Sequence, residues 1–168
     1  IYGAYDKGGF KKYGIFQSEK QIAQEVWQHT GLAPGVRHPL AYVMEACDDI
    51  AYSVIDTEDT VKKGYASFYD LMDFLRSSSG DLTTANVIEF SQAQNKKFKL
   101  DQLSSRELND MSMQMFRVRA IYEMVQAATA TFVEHIDNMM AGEIEPGRQI
   151  GLHRKDPDRR PSERDFER

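Results

Sequence analysis

Residues 38–64 read HPLAYVMEACDDIAYSVIDTEDTVKKG. At about 100° per residue around a helix axis, Leu40, Val43, Met44, Cys47, Ile50, Ala51, Val54, Ile55 and Val61 fall in one broad apolar arc. Asp48, Tyr52, Asp56 and Asp59 follow at steps of four, four and three and share the opposite arc. Glu45 stands beside them, and Asp49 sits at the edge. The stretch predicts one long helix over residues 38–63. Pro39 stands in the first turn, where its missing amide costs nothing. Lys62 and Lys63 suit the negative end of the helix dipole, and Gly64 is the stop. Glu58 falls on the apolar arc, as a buried partner to a cation elsewhere or as the end of that face.

The acidic row is the one constellation here that suggests chemistry. Like charges stacked on a helix repel by about 0.2–0.5 kcal/mol per pair, and no lysine interleaves them before Lys62. A cation in front of the row would relieve that repulsion. The Tyr52 hydroxyl, one turn from a carboxylate on either side, could orient a water or a phosphate oxygen. The ordinary alternative is a solvated acidic face. Nothing else in the chain completes a metal site on the row. The histidines are His29, His38, His135 and His153, and His38 lies about 15 Å along the helix from Asp48. There is no His-Glu-x-x-His, paired Glu-x-x-His, P-loop or Rossmann glycine pattern.

Outward from this stretch, residues 1–17 are rich in Gly and Tyr and read as a loop or extended opening segment. Lys11 and Lys12 could meet phosphate, Lys12 being the candidate, or form a solvated pair. Ser18-Glu-Lys-Gln21 is a capping-box pattern that starts a helix. Ile22, Val26 and Trp27 are its expected buried stripe, Gly31 its end, and His29 a favourable charge near that end. Further helices are expected over residues 67–75, 84–96 and 104–140. Phe68, Leu71, Met72 and Leu75 anchor the first, and Val87, Ile88 and Phe90 the second. The last opens on a second capping box, Ser104-Ser-Arg-Glu107, and ends at Gly142, with a break possible at Asn109–Asp110. Its expected inward residues are Leu108, Met111, Met115, Val118, Ile121, Tyr122, Val125, Ala128, Phe132, Ile136 and Met139. The run of Met111, Met113 and Met115 reads as core filler. Lys96, Lys97 and Lys99 read as a solvated helix end. The expected class is all-α: an opening segment over 1–17, a helical domain over 18–143, and a charged linker or tail over 144–168.

The bulk properties narrow the function. The chain has 168 residues, 28% charged and 41% hydrophobic, with net charge −5. This argues against indiscriminate binding to nucleic acid or acidic membranes. No apolar run is long enough for a membrane helix. A lone Cys47 rules out an internal disulfide framework and a zinc knuckle, and a cytoplasmic setting is expected. The chain opens at Ile1 rather than Met, so part of a longer protein is expected.

The run from Arg37 through Glu45-Ala-Cys-Asp48-Asp49-Ile-Ala-Tyr52 to Asp56-Thr-Glu58-Asp59 resembles the last metal-ligand helix of the HD-domain deoxynucleoside triphosphate triphosphohydrolases, the dGTPase family. Tyr13-Gly-Ile-Phe-Gln-Ser-Glu19 resembles that family's approach to the preceding helix. Phe116-Arg-Val-Arg-Ala-Ile-Tyr122 and the stop Met140-Ala-Gly-Glu143 resemble its later long helix. The likeness implies partial HD-domain helices followed by C-terminal helices. It implies hydrolysis of a dNTP to deoxynucleoside and triphosphate with a divalent metal, Mg or Mn. Asp48 would be a metal ligand. Tyr52 and Asp56 would contact phosphates and sugar. Arg117 and Arg119 are candidates for phosphate, or else pair with neighbouring acids on the long helix. The family's other metal ligands, a His and a His-Asp doublet, lie upstream and have no counterpart here, so this chain alone is expected to be inactive. The resemblance also implies a homo-oligomer, often a hexamer, with exposed apolar surface, and it leaves open a nucleic-acid effector. Two other readings stand beside it: a non-catalytic helical module docking a basic partner, and a nucleotide-sensing relative without hydrolysis.

Overall fold

A computed structural model describes residues 15–34, 36–78, 80–99 and 103–144. Its regular elements are helical: a 3-10 turn at Gln17–Glu19, then α1 (Lys20–Thr30), α2 (Pro39–Lys62), α3 (Phe68–Ser78), α4 (Leu82–Phe98) and α5 (Ser105–Ala141). The class is all-α, as the periodicity predicts. Lys12, most of the opening segment and nearly all of the expected tail lie outside the described residues. Among the described residues no helix is long and apolar enough to cross a membrane.

Local chemistry sets the helix ends. Pro39 opens α2, and the ring Nδ1 of His38 accepts the Leu40 amide at 3.2 Å. Gly31, Gly64 and Gly142 all sit at positive φ and stop α1, α2 and α5. Ser104 and Glu107 exchange the two bonds of a capping box, at 2.9 and 3.3 Å. The start of α1 differs from expectation. Glu19, not Gln21, reaches back, and its carboxylate accepts the Phe16 amide at 3.0 Å. The 3-10 turn shifts the frame, so the helix proper begins at Lys20. A further box stands at the head of α3, where Ser67 and Asp70 exchange bonds.

α5 is the spine. At 37 residues it spans about 55 Å. α4 packs along its first half and α2 runs antiparallel to it. The polarity follows from two contacts: Glu58 near the end of α2 meets Arg117 early in α5, while Val36 before α2 lies against Gly142 after α5. Val54 and Val61 of α2, Phe68 and Met72 of α3, Val87 and Ile88 of α4, and Met113, Phe116 and Ala120 of α5 form one core. A polar seam pins three of these helices. The Tyr69 hydroxyl donates to Asn95 (2.9 Å), the Asn95 amide to Ser112 (2.8 Å), and Ser112 to the Leu108 carbonyl (2.6 Å).

Three packing expectations are corrected. On α1 only Trp27 is buried, while Ile22 and Val26 are exposed, because α1 makes few contacts beyond the turn before it. On α2 the covered stripe is Ile50, Val54, Glu58 and Val61; Leu40 and Met44 are 64% and 66% exposed, and Cys47, Ala51 and Ile55 are exposed with them. One neighbour, α5, covers only part of the predicted arc. On α5 the inward residues are Ser112, Met113, Phe116 and Ala120, joined at the far end by Met139. Met111, Val118, Tyr122, Val125 and Ile136 lie exposed. Of the expected inward residues Met139 is fully buried and Ile121 packs against the core; the helix carries two overlapping apolar stripes, and periodicity alone does not separate them. No break occurs at Asn109, whose side-chain oxygen instead accepts the Phe68 amide at 3.1 Å.

Candidate functional site

The acidic face of α2 divides into paired and unpaired members. Glu45 is gripped by the fork of Arg37, at 3.1 and 3.0 Å, and that guanidinium also lies 4.8 Å from the Tyr42 ring centre. Asp59 pairs with Lys63 at 3.3 Å. Asp49 is engaged as well. The side chains of Asp48, Tyr52 and Asp56 are exposed and form no hydrogen bond or ion pair among the described residues. The three positions singled out by the four-residue step are therefore the ones left open to solvent.

Their geometry is set by the helix. Four residues rise about 6 Å and turn about 40° past a full revolution. The row therefore spirals gently from Asp48 toward α3. Asp56 also edges an open groove floored by Val61, Ala66, Leu71 and Phe74. Across this row lie two carboxylates about 12 Å apart with a phenol midway. Such a surface can accept donors from sugar hydroxyls, lend a single carboxylate to a cation held mainly by other groups, and offer a hydroxyl to a phosphate oxygen between them.

The arginines do not join the row. Arg117 donates to the buried carboxylate of Glu58 at 2.8 Å, and Lys62 meets the other oxygen of that carboxylate at 2.7 Å. Glu58 is 3% exposed, which bears out its reading as a buried partner to a distant cation. Glu58 lies two positions after Asp56, so they point about 160° apart around α2. Arg117 is thus on the α5 side of the helix, away from the row. Arg119 faces α4: its guanidinium lies 5.3 Å from the Phe90 ring centre and 5.5 Å from that of Tyr122, and it pairs with Glu123. The pairing of both arginines with acids is the plainer of the two sequence readings. The partner of Arg117 is not a neighbour on its own helix, and only the misplaced charge of Glu58 on an apolar arc signalled it.

Among the described residues no three His, Cys, Asp or Glu side chains converge as metal ligands. Asp48 is one exposed carboxylate, and the described residues do not by themselves fit a metal ion.

The described helices thus carry an exposed carboxylate–phenol–carboxylate row without partners among the described residues. Comparison with known proteins finds relatives of one kind. A probable deoxyguanosinetriphosphate triphosphohydrolase of Pseudomonas aeruginosa is 32% identical over 142 residues, covering 80% of this chain and 28% of the relative. A deoxyguanosinetriphosphate triphosphohydrolase-like protein of Synechocystis is 33% identical over 143 residues, again 80% of this chain and 28% of the relative. The deoxyguanosinetriphosphate triphosphohydrolase of Salmonella typhimurium is 31% identical over 140 residues, 79% of this chain and 26% of the relative. No family model matches the chain. The chain belongs to the deoxyguanosinetriphosphate triphosphohydrolase family, and it spans little more than a quarter of the length of these relatives.

Proposed function

We propose that this chain is a segment of an enzyme that hydrolyses a dNTP, dGTP or one like it, to deoxynucleoside and triphosphate. The observation that carries this reading is the unpaired row Asp48, Tyr52 and Asp56 on α2, within the part of the chain that resembles these relatives. Asp48 would supply one carboxylate to a divalent metal, Mg or Mn, whose other ligands come from beyond the described residues. When bound, that metal would supply Lewis-acid activation of the attacking water. The Tyr52 hydroxyl would donate to a phosphate oxygen, and the Asp56 carboxylate would accept from a sugar hydroxyl. Arg117 and Arg119 are engaged elsewhere in this fold and would have to leave Glu58 and Glu123 to reach phosphate. Lys12 remains a phosphate candidate. We further propose that the exposed apolar residues of α2 and α5 are covered in the whole protein, by its remaining helices and by copies of itself in a homo-oligomer.

The test is triphosphate release from dGTP by the full-length protein with Mg²⁺ or Mn²⁺. Asp48→Ala should abolish it, and Tyr52→Phe and Asp56→Asn should lower it on the order of tenfold or more. Undiminished activity in Asp48→Ala would sink the assignment. Nucleotide binding without triphosphate release would select a sensing role instead. Salt-sensitive binding of a basic protein to the Asp48–Asp56 face, with no nucleotide binding, would select a docking module.

A further inference from the structure

The ion pair between Glu58 and Arg117 has a consequence for the site that the core does not share. α2 leans chiefly on α5. Its covered apolar contacts in the working half of the helix are Ile50, Val54 and Val61. Apolar contacts are non-directional, so they resist separation of two helices far better than they resist a roll of one about its own axis. The Glu58 carboxylate is different. It is 3% exposed, accepts from Arg117 on α5 at 2.8 Å, and is held from its own helix by Lys62 at 2.7 Å. The Arg117 bond is short and directional, whereas Lys62 is an ion-pair neighbour that makes no hydrogen bond to the other oxygen, so without Arg117 the buried carboxylate has no directional tie across to α5.

The azimuth of the row follows from this one side chain. With Glu58 aimed at α5, Asp48, Tyr52 and Asp56 stand about 80°, 120° and 160° away around the axis. A roll of about 20° would carry a carboxylate at the helix surface, about 5–6 Å from the axis, through roughly 2 Å. A displacement of about 1 Å at a reacting centre can cost on the order of a hundredfold in rate.

We infer that the bond from the partly exposed Arg117 to the buried Glu58 carboxylate is the rotational stop of α2, and that Glu58 and Arg117 are positioning residues for Asp48, Tyr52 and Asp56. The catalytic half of this inference rests on the function proposed above; the mechanical half does not.

The experiment uses the full-length protein with four changes: Glu58→Gln, Arg117→Lys, the exchange Glu58→Arg with Arg117→Glu, and Val54→Ala as a core-cavity control on the same helix. Two readouts are taken well below each Tm: kcat and KM for dGTP, and, in a Cys47→Ser background, the distance distribution between nitroxides on an introduced Ser53→Cys and an introduced Gln126→Cys, both exposed positions. Glu58→Gln should lower kcat/KM on the order of tenfold or more and broaden the distribution. Arg117→Lys keeps the charge and should stay within about threefold, and the exchange should recover part of the loss, the remainder reflecting the repulsion of Lys62 by a guanidinium at position 58. Val54→Ala should lower Tm while leaving kcat/KM and the distribution near wild type. A Glu58→Gln protein with wild-type kinetics and a sharp distribution overturns the inference, as does Val54→Ala reproducing the same loss. If Glu58→Gln does not fold, the contrast between Arg117→Gln and Arg117→Lys makes the same comparison from the other partner. A wild-type protein that releases no triphosphate removes the proposed function, and the distance measurement still decides the rotational stop.

Discussion

Gly142 closes α5 at φ 74°, and a Cβ there would stand 2.8 Å from a methyl group of Val36. Two costs meet at this residue: the left-handed backbone, about 1–2 kcal/mol for a side chain, and the collision with the segment that leads into α2. Gly64 has nearly the same φ, 79°, with nothing within 4 Å. Gly142→Ala should therefore destabilise the chain by more than Gly64→Ala in urea unfolding, and the excess measures the close approach. Equal losses would mean that Val36 gives way freely. Met113 and Met111 offer a second comparison. Met113 is fully buried and Met111 is exposed, so Met113→Ala should cost about 2–5 kcal/mol and Met111→Ala within about 0.5 kcal/mol. The sequence treats those two methionines alike. What separates them is which neighbour covers which stripe, and that information sits on α3 and α4.

Among the elements, the helices were legible wherever a local signal marks an end. Pro39, Ser104 with Glu107, Gly31, Gly64 and Gly142 stand where the backbone needs them. The α5 face was legible only in part, at Met139 and Ile121, because two apolar stripes satisfy the same period and only packing chooses between them. The candidate row was legible, since it needs nothing beyond the pitch of one helix. The partner of Arg117 was not, since it lies 59 residues away. The caps carry a pH dependence of definite sign. The Ser67 amide, then its hydroxyl, hold the Asp70 carboxyl below the usual range, and the Ser104 hydroxyl, then its amide, do the same for Glu107. Because both are lower when folded, they add stability above the ordinary carboxylate range and lose it as pH falls through their lowered values. Urea stability should decline on that acid limb. Asp70→Asn combined with Glu107→Gln should flatten it; an unchanged limb would assign the decline to other carboxylates.

For the whole molecule, the exposed apolar residues matter most. Leu40, Met44, Val118, Tyr122 and Val133 are each more than half exposed. Leu40→Lys with Met44→Glu should alter the unfolding free energy of the 168-residue chain by less than about 0.5 kcal/mol per site. In the full-length protein, where we propose that this face is covered, the same changes should cost about 2 kcal/mol or more each. Equal, small effects in both would show that the face stays open.

The antiparallel seating of α2 on α5 also bears on the order of events in folding. α4 and α5 are consecutive, and their pairing closes a short loop. The contact of Glu58 with Arg117 closes one of 59 residues, and the entropy of loop closure grows with that span. We expect the α4–α5 hairpin to form early and α2 to dock late. In stopped-flow refolding, recovery of helix signal should then precede any probe of the α2–α5 contact, and Val54→Ala should speed unfolding more than it slows folding. The row bearing Asp48, Tyr52 and Asp56 would exist as a helix before it has an orientation, and would acquire a fixed direction only at the last step of assembly.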